Sequence, residues 1–469
     1  MKDSQYNFGM IGLGTMGRNL VNNMASHGFA VAGFDKDPAK VAALKNEAGG
    51  NVYGAQSLHD FVSAIARPRT IMLLVPAGQP VDDVVAELKP LLNEEDLIMD
   101  CGNSHFIDTD RRIKELVRNK FHFMGVGISG GEEGARKGPS IMPGGNKKVF
   151  DRVGPMLAAI AAKVNNEPCT TYLGQGSAGH YVKMVHNGIE YALMQLIAET
   201  YQLLKEYGGF TNGELHNAFD GWNKGPLKSF LVEITAEIFT KKDELTSNYL
   251  VDMIQDSAGQ KGTGIWTSQS ALDLQVPVPS IDAAVTARVI SANKEQRLKG
   301  GALKGPGITS ATDKEALLNN LGQALQFSML IAYAQGMALL QKASAAYNYG
   351  YSLSEVAKIW RGGCIIRAEA LELIMEAYNQ QPGLANLMFG NKVAPILVET
   401  QQGARLIIKT AVENGIAAPA MMAGLAYYDG YRKDWLPSNL IQAQRDYFGA
   451  HTYKRTDRDG IFHTEWNKN

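Results

Sequence analysis

Three glycines near the start of the chain decide how its first segment can fold. They belong to a run that follows a predicted apolar strand and opens a predicted helix, and the run comprises Gly12, Leu13, Gly14, Thr15, Met16 and Gly17. Gly12 permits a tight turn, Gly14 lets the backbone approach a pyrophosphate, and Gly17 allows close packing of the helix on the strand. The free amides at the helix N-terminus then face the anion. The run therefore predicts a dinucleotide-binding βαβ unit.

A carboxylate at the end of the second predicted strand bears on which dinucleotide binds. Asp35 lies 18 residues beyond Gly17 and is followed by Lys36 and Asp37. A carboxylate here accepts hydrogen bonds from a ribose 2′-hydroxyl and repels a 2′-phosphate, so Asp35 favours NAD, although Lys36 would offset part of the repulsion. Alternatively, Asp35 only caps the turn before Pro38. The residues predicted to line the adenine and ribose follow the next strand and are Val75, Pro76 and Ala77.

Short apolar runs alternate with amphipathic segments throughout residues 1–178. The predicted strands are 8–13, 30–34, 70–75, 97–100 and 121–127, and the first predicted helix is 17–27. Strands that alternate with helices in units this short imply βαβ crossovers. We therefore predict an α/β Rossmann-type domain with a parallel sheet over residues 1–178.

From Gly179 onward, apolar residues recur with helical periodicity, which predicts a large all-α domain over residues 179–435. This domain contains a weak internal repeat: a long helix over 179–207 and another over 321–348 are each followed by the spacing of a capping box. The two boxes pair Thr211 with Glu214 and Ser352 with Glu355. The alternative is coincidence, because such caps are common. Residues 436–469 form a predicted C-terminal tail whose composition is typical of a binding surface.

The charge balance and the cysteines restrict the class of protein. The chain has 46 Lys+Arg and 47 Asp+Glu, a net charge of −1, which argues against a nucleic-acid-binding arm or a polybasic membrane patch. The three cysteines are widely spaced and unpaired in motif, as in cytoplasmic proteins; they are Cys101, Cys169 and Cys364. No signal peptide and no membrane-spanning apolar stretch is predicted. We expect a cytoplasmic enzyme.

A polar stripe on the first long helix of the second half predicts the chemistry. Lys183, His186, Asn187, Glu190 and Tyr191 recur at helical spacing, while the other faces of the helix are apolar. A helix of this kind is buried, and burying a Lys and a Glu is costly unless they pair or line a site. Burial removes the proton from Lys183, which can then act as a general base, and Glu190 can act as an acid. The alternative is a solvated face with a Lys–Glu pair.

Three glycine-rich loops supply further candidates, and the first two are alternatively structural turns. Asn103 follows a strand at the carboxyl edge of the sheet, where such folds bind ligands. A second loop, with a hydroxyl and free backbone amides suited to a carboxylate, contains Ser129, Gly130 and Gly131. Farther along the chain, a predicted phosphate clamp consists of Lys261, Thr263 and Arg288.

Taken together, these motifs resemble the 6-phosphogluconate dehydrogenase family, the decarboxylating enzymes of the oxidative pentose phosphate pathway and of gluconate utilization. The resemblance covers essentially the whole chain. Its signatures are 12–17, 102–104, 129–134, 139–145, 183–191, 256–264, 360–367 and 439–451. The resemblance implies oxidation of 6-phosphogluconate at C3, loss of CO₂ and release of ribulose 5-phosphate, with reduction of NADP or NAD.

The resemblance also implies residue roles. Lys183 would be the base and Glu190 the acid, with Asn103 and His186 in the catalytic set. The sugar acid would be held by Asn103, Ser129, Gly130, Gly131, His186 and Asn187, and its phosphate by Tyr191, Lys261, Thr263 and Arg288. The tail of a partner subunit would complete the site with Arg445 and His451, so we expect a homodimer.

One departure and two alternatives qualify this resemblance. NADP-using members usually carry Asn-Arg-Ser/Thr where this chain has Asp35-Lys36-Asp37, which favours NAD or dual use. No metal-ligand cluster appears in the sequence, and we expect no metal. One alternative is a non-decarboxylating β-hydroxyacid dehydrogenase, which would not need Lys261, Thr263, Arg288 or Arg445. The other is a non-catalytic scaffold that senses the dinucleotide, which leaves Lys183 and Glu190 without a role.

Overall fold

The computed structural model of the chain describes residues 6–47 and 49–467. The chain divides into two compact units, one ending at Gly424 and one beginning at Leu425. None of the helices in the described ranges is long and apolar enough to cross a membrane. The predicted domain boundaries at 178/179 and 435/436 stay a prediction.

A seven-stranded sheet with Rossmann-type order forms the core of the N-terminal half. Its strands are β1 (Phe8–Ile11), β2 (Val31–Phe34), β3 (Val52–Gly54), β4 (Thr70–Leu73), β5 (Leu97–Asp100), β6 (His122–Ser129) and β7 (Ser140–Gly144). They lie in the order β3-β2-β1-β4-β5-β6-β7. The first six are mutually parallel, whereas β7 runs antiparallel to β6. The predicted α/β Rossmann-type fold is confirmed.

Two details of the sheet differ from the sequence prediction. Strand β3 was not predicted, because Val52–Gly54 is too short to show an alternating pattern. Strand β7 was not predicted either, and it makes the sheet mixed instead of wholly parallel. The chain turns back after a short helix at Gly138, whose φ of +145° suits glycine, so the antiparallel strand needs no long crossover.

Helices cover both faces of this sheet. They are α1 (Thr15–Ser26), α2 (Pro38–Glu47), α3 (Leu58–Ala64), α4 (Gln79–Leu88), α5 (Phe106–Val117), α6 (Gly131–Lys137) and α7 (Lys147–Ile160), followed by a small hairpin of β8 (Lys163–Val164) and β9 (Glu167–Pro168). Side chains alternate across each strand, so Met72 and Met99 enter one apolar core while Ile71 and Ile98 enter another. Burial on both faces explains why the central strands are continuous apolar runs.

The second half of the chain is helical. Its helices are α8 (Ala178–Gln202), α9 (Asn212–Trp222), α10 (Phe230–Ile238), α11 (Leu250–Met253), α12 (Thr263–Asp273), α13 (Pro279–Ala292), α14 (Lys294–Gly300), α15 (Lys314–Ala346), α16 (Leu353–Trp360), α17 (Ala370–Gln380), α18 (Val393–Glu413), α19 (Pro419–Tyr431) and α20 (Ser438–Gly449). The long helix α15 packs against both α8 and α18. These helices confirm the predicted all-α region.

The two predicted capping boxes have different outcomes. Before α9, the Thr211 side chain accepts from the Glu214 amide and the Glu214 carboxylate accepts from the Thr211 amide, as predicted. Before α16, the box is absent, because the Ser352 hydroxyl bonds to the hydroxyl of Ser354 (2.8 Å) and Glu355 pairs with Lys358. The spacing predicted a helix start correctly, but a competing partner was available for each side chain of the second box.

The second unit is organised around one buried carboxylate. Asp446 on α20 accepts hydrogen bonds from the backbone amides of Thr452 (2.9 Å) and Thr464 (3.0 Å). It also accepts from the His463 ring and the Trp466 indole, both at 2.9 Å. These bonds fold the segment after α20 back against that helix.

Candidate active site

The glycine run has the geometry that a pyrophosphate site requires. Gly12 has a φ of +95°, and a Cβ there would crowd the carbonyl of Leu74. A Cβ on Gly17 would collide with the Gly12 carbonyl, so the close contact of α1 with this turn needs a glycine at position 17. By contrast, a Cβ on Gly14 would meet nothing within 4 Å, which leaves the amides at the start of α1 open to an anion. The arrangement fits a dinucleotide.

Asp35 faces this run at the ends of β1 and β2. Its Oδ2 accepts from the Leu13 amide (2.8 Å), its Oδ1 accepts from the Asp37 amide (2.9 Å), and Lys40 Nζ lies 3.6 Å away. Asp35 therefore caps the turn and also lies where a residue that contacts the ribose is expected. Lys36 instead reaches Glu87 at 2.7 Å. The adjoining cleft is lined by Gly12, Gly14, Asp35, Lys36, Val75 and Pro76, among others.

Glycines let the helix that carries the polar stripe lie directly on the sheet. Gly125 and Gly127 face the same side of β6, and a Cβ on Gly127 would lie 2.9 Å from Lys183 Cγ. A Cβ on Gly125 would lie 2.7 Å from the Nδ1 atom of His180. A side chain at position 179 would likewise collide with the backbone of β7. Sequence reasoning missed this, although the alternating glycines of β6 were a signal for close approach.

The predicted stripe is brought together on α8. Lys183, His186, Asn187 and Tyr191 are buried, and Glu190 is half-buried with 21% of its side chain exposed. His186 Nδ1 lies 3.0 Å from Asn187 Oδ1 and 3.8 Å from Glu190 Oε2. The solvated-face alternative does not describe these side chains, since only Glu190 reaches solvent appreciably.

Burial moves the pKa values of the stripe in opposite directions. Desolvation lowers the pKa of Lys183, against the opposing influence of Glu190 and Cys364. Desolvation raises the pKa of Glu190, opposed by the charges of Lys183 and Arg288. Burial, with the nearby Lys183, holds the pKa of His186 well below its usual value, so His186 is neutral. Burial therefore favours the neutral amine at Lys183 and the protonated carboxyl at Glu190, two groups seven residues apart on one helix.

The second glycine loop adjoins the stripe. Ser129 Oγ lies 3.3 Å from His186 Nε2 at the end of β6. Gly130 has a φ of +118°, and a Cβ there would lie 2.5 Å from the Gly363 carbonyl. Gly131 begins α6. On the neighbouring strand end, Asn103 is exposed at the tip of a turn after β5.

Most of the predicted phosphate clamp also assembles beside the stripe. The Arg288 guanidinium stacks over the Tyr191 ring at 3.5 Å and donates to the Gly259 carbonyl at 3.0 Å. The buried Thr263 starts α12, while Lys261 is exposed on the preceding loop. A planar cation held on an aromatic face is well placed to receive an oxyanion. Arg445 and His451 are exposed residues of the second unit.

Two family models match the chain, and between them they cover nearly all of it. The NAD binding domain of 6-phosphogluconate dehydrogenase matches residues 7–174, and the 6-phosphogluconate dehydrogenase C-terminal domain matches residues 179–466. The chain belongs to the 6-phosphogluconate dehydrogenase family. In the described residues, no group of three or more His, Cys, Asp or Glu side chains is arranged to hold a metal ion.

Individual members of the 6-phosphogluconate dehydrogenase family are similar over their full length. The NADP(+)-dependent, decarboxylating 6-phosphogluconate dehydrogenase of Bacillus subtilis is 53% identical, over 99% of this chain and 100% of that protein. The decarboxylating enzyme of Escherichia coli is 49% identical, over 99% of each. The solved structure of Plasmodium falciparum 6-phosphogluconate dehydrogenase has a TM-score of 0.94 and 42% identity, covering 98% of this chain and 100% of that one.

Proposed function

We propose that this protein oxidatively decarboxylates 6-phosphogluconate to ribulose 5-phosphate and CO₂, with NADP or NAD as the oxidant. The observation that carries the proposal is the pairing of Lys183 and Glu190 on one face of α8, with pKa values shifted in opposite directions by burial. Full-length similarity to decarboxylating 6-phosphogluconate dehydrogenases supports the same reaction. The three buried cysteines, none of them in a disulfide, fit our proposal of a cytoplasmic location.

In the proposed mechanism, neutral Lys183 takes the proton from the C3 hydroxyl. When bound, the nicotinamide supplies the acceptor for the hydride that leaves C3. When the resulting 3-keto acid loses C1 as CO₂, the electrons of the broken C1–C2 bond form an enolate over the C2 carbon and the C3 oxygen, which the ammonium of Lys183 stabilises. Glu190 then gives its proton to the former C2, which becomes C1 of the product, and the former C3 becomes the carbonyl carbon of the ketose. The Lys183 Nζ atom thus receives one proton, and the Glu190 carboxyl supplies the other.

The remaining site residues are proposed as ligands. The carboxylate and hydroxyls of the substrate would be held by Asn103, Ser129, Gly130, Gly131, His186 and Asn187, and its phosphate by Tyr191, Lys261, Thr263 and Arg288. The stacking of Arg288 on Tyr191 supports this, because it fixes a cation before the phosphate arrives. We further propose a homodimer in which Arg445 and His451 complete the neighbour's site. The exposed apolar side chains of α20, such as Ile441 and Phe448, support such an interface.

The decisive assay compares two substrates with either cofactor. We expect NADPH or NADH formation and equimolar CO₂ release with 6-phosphogluconate, and no CO₂ release with 3-hydroxyisobutyrate. The phosphate clamp favours the first substrate over the β-hydroxyacid alternative, which has no use for Arg288. Oxidation of 3-hydroxyisobutyrate without turnover of 6-phosphogluconate would refute the proposal.

A substitution of the proposed base separates an enzyme from a dinucleotide-sensing scaffold. We expect Lys183→Met to abolish turnover while the Kd for 6-phosphogluconate, measured by calorimetry, stays within roughly tenfold of wild type, because the base acts mainly in the transition state. The control is Lys120→Met, since Lys120 is an exposed lysine of the N-terminal half and pairs with Glu94. If Lys183→Met were as active as Lys120→Met, a scaffold that senses the dinucleotide would describe the protein better than an enzyme.

A further inference from the structure

A buried carboxylate shapes the turn that presents Asn103. Asp100 is the last residue of β5 and is fully buried. Its Oδ1 accepts from the Gly102 amide (3.1 Å), and its Oδ2 accepts from the Ser104 hydroxyl (2.5 Å). Both bonds close the turn over 100–104, and Asn103 lies exposed at its tip. The conformation of the turn is therefore set by Asp100, which does not itself reach solvent.

A buried arginine joins this turn to the loop that lines the dinucleotide cleft. Arg112 on α5 is 1% exposed, and its Nη1 lies 3.6 Å from Asp100 Oδ2. Its Nη2 donates to the Gly78 carbonyl (3.0 Å), and its Nε donates to Asp82 (2.8 Å). Gly78 ends the loop that begins at Val75, so one guanidinium bonds to that loop and pairs with the carboxylate behind the Asn103 turn.

The same residue is bonded to the helix that carries the polar stripe. The Asp100 carbonyl accepts from His180 Nε2 at 3.0 Å, and His180 Nδ1 lies 2.7 Å from the Thr109 hydroxyl. His180 is 1% exposed and stands three residues before Lys183 on α8. Burial lowers the pKa of His180, so the ring is neutral. Asp100 thus bonds to the Asn103 turn through its side chain and to α8 through its backbone.

We propose that Asp100 is a positioning residue for the reaction: with Arg112 and His180 it fixes the Asn103 turn, the Val75–Gly78 loop and the start of α8 relative to one another. The inference rests on the proposed function, since it assumes that Asn103 contacts substrate and cofactor. Asp100 touches neither and acts only through the groups that it holds.

The chain contains a matched control at the opposite end of the same strand. Asp96 directly precedes β5, is fully buried, and pairs with the buried Arg69 at 2.9 Å. It also accepts from the Arg69 and Asn93 amides, so it too organises a turn. Asp96→Asn removes the carboxylate that pairs with the buried Arg69, and Asp100→Asn removes one of the two carboxylates, Asp100 and Asp82, that pair with the buried Arg112. Both variants should therefore lose stability, but only Asp100→Asn should affect the reaction.

The experiment measures kcat, KM, ligand affinity and thermal unfolding for Asp100→Asn and Asp96→Asn. Both should lower Tm, but Asp100→Asn should lower kcat/KM for 6-phosphogluconate roughly 100-fold, because misplacing a reacting group by about 1 Å has an effect of that size. It should also weaken calorimetric binding of 6-phosphogluconate, whereas Asp96→Asn should leave both within twofold of wild type. Equal kinetics in the two variants would overturn the proposal.

A milder variant keeps the test decisive if Asp100→Asn does not fold. Ser104→Ala removes one hydrogen bond to Asp100 and no charge, and it should lower kcat/KM several-fold with little change in Tm. Wild-type kinetics for Ser104→Ala would count against the proposal. Wild-type protein is assayed first: if it does not turn over 6-phosphogluconate, the proposed function fails and not the role of Asp100.

Discussion

Adding a single methyl group to β6 should displace the proposed base. In Gly127→Ala the new Cβ would lie 2.9 Å from Lys183 Cγ and 3.2 Å from the Gly179 carbonyl. Carbon atoms in contact prefer about 3.5–4.0 Å, so α8 must retreat from the sheet by roughly 1 Å. A displacement of that size reduces catalysis by about 100-fold. Overpacking of a well-filled core costs about 1–3 kcal/mol of folding free energy.

A second glycine, where an added Cβ meets a milder clash, provides a control for overpacking away from α8. A Cβ on Gly54, in the edge strand β3, would lie 2.9 Å from Val41 Cγ1 and also crowd the flexible Lys45 side chain. Steady-state kinetics with 6-phosphogluconate and urea unfolding should be measured for both variants. Gly54→Ala should lose stability and keep kcat/KM, whereas Gly127→Ala should lose both. If Gly127→Ala is as active as Gly54→Ala, the close packing of α8 on the glycines of β6 does not position Lys183.

Two further predictions concern cofactor choice and pH. The double variant Asp35→Asn, Asp37→Thr should raise the ratio of kcat/KM for NADP to kcat/KM for NAD by ~10-fold or more, because two negative charges that would repel the 2′-phosphate are removed. An unchanged ratio would refute the role of Asp35. Burial raises the pKa of Glu199 to about 7, above its usual ~4.3, so the folded state favours the protonated carboxyl. The contribution of this group to the free energy of unfolding is therefore complete below pH 4. It falls by about 3 kcal/mol as the pH rises towards 7, because the unfolded chain releases the proton first. Glu199→Gln should flatten this dependence in urea unfolding between pH 5 and pH 7.5, and an unaltered slope would contradict the assignment.

The sequence was sufficient to predict the elements whose signal is local. The run from Gly12 to Gly17 predicted a strand, a tight turn and a helix, because each glycine has a separate steric reason. The ends of the predicted strands differ from β1, β2, β4, β5 and β6 by two residues or fewer. The stripe on α8 was predictable because helical spacing alone brings Lys183 and Glu190 to one face. The other faces are apolar, which indicated burial.

The remaining features depend on contacts between distant segments. Asp100 reads as an ordinary polar end to an apolar strand, and nothing local shows that Arg112 and His180 converge on it. The missing capping box at Ser352 has a similar reason, since Ser354 supplied a competing hydroxyl. The antiparallel direction of β7 likewise has no local signal in the sequence. It is visible only in the pairing with β6, which places Gly144 opposite Gly125 beneath α8.

The interaction between Lys183 and Glu190 suggests how one step of the proposed reaction prepares the next. Each charge opposes the effect of burial on the other group, so the two protonation states are coupled. While Lys183 is neutral, burial keeps the pKa of Glu190 raised and its proton in place. Once Lys183 has taken the C3 proton, its positive charge lowers the pKa of Glu190. In the proposed reaction this would make Glu190 the stronger acid after the oxidation, when the carbon that becomes C1 of the product needs a proton.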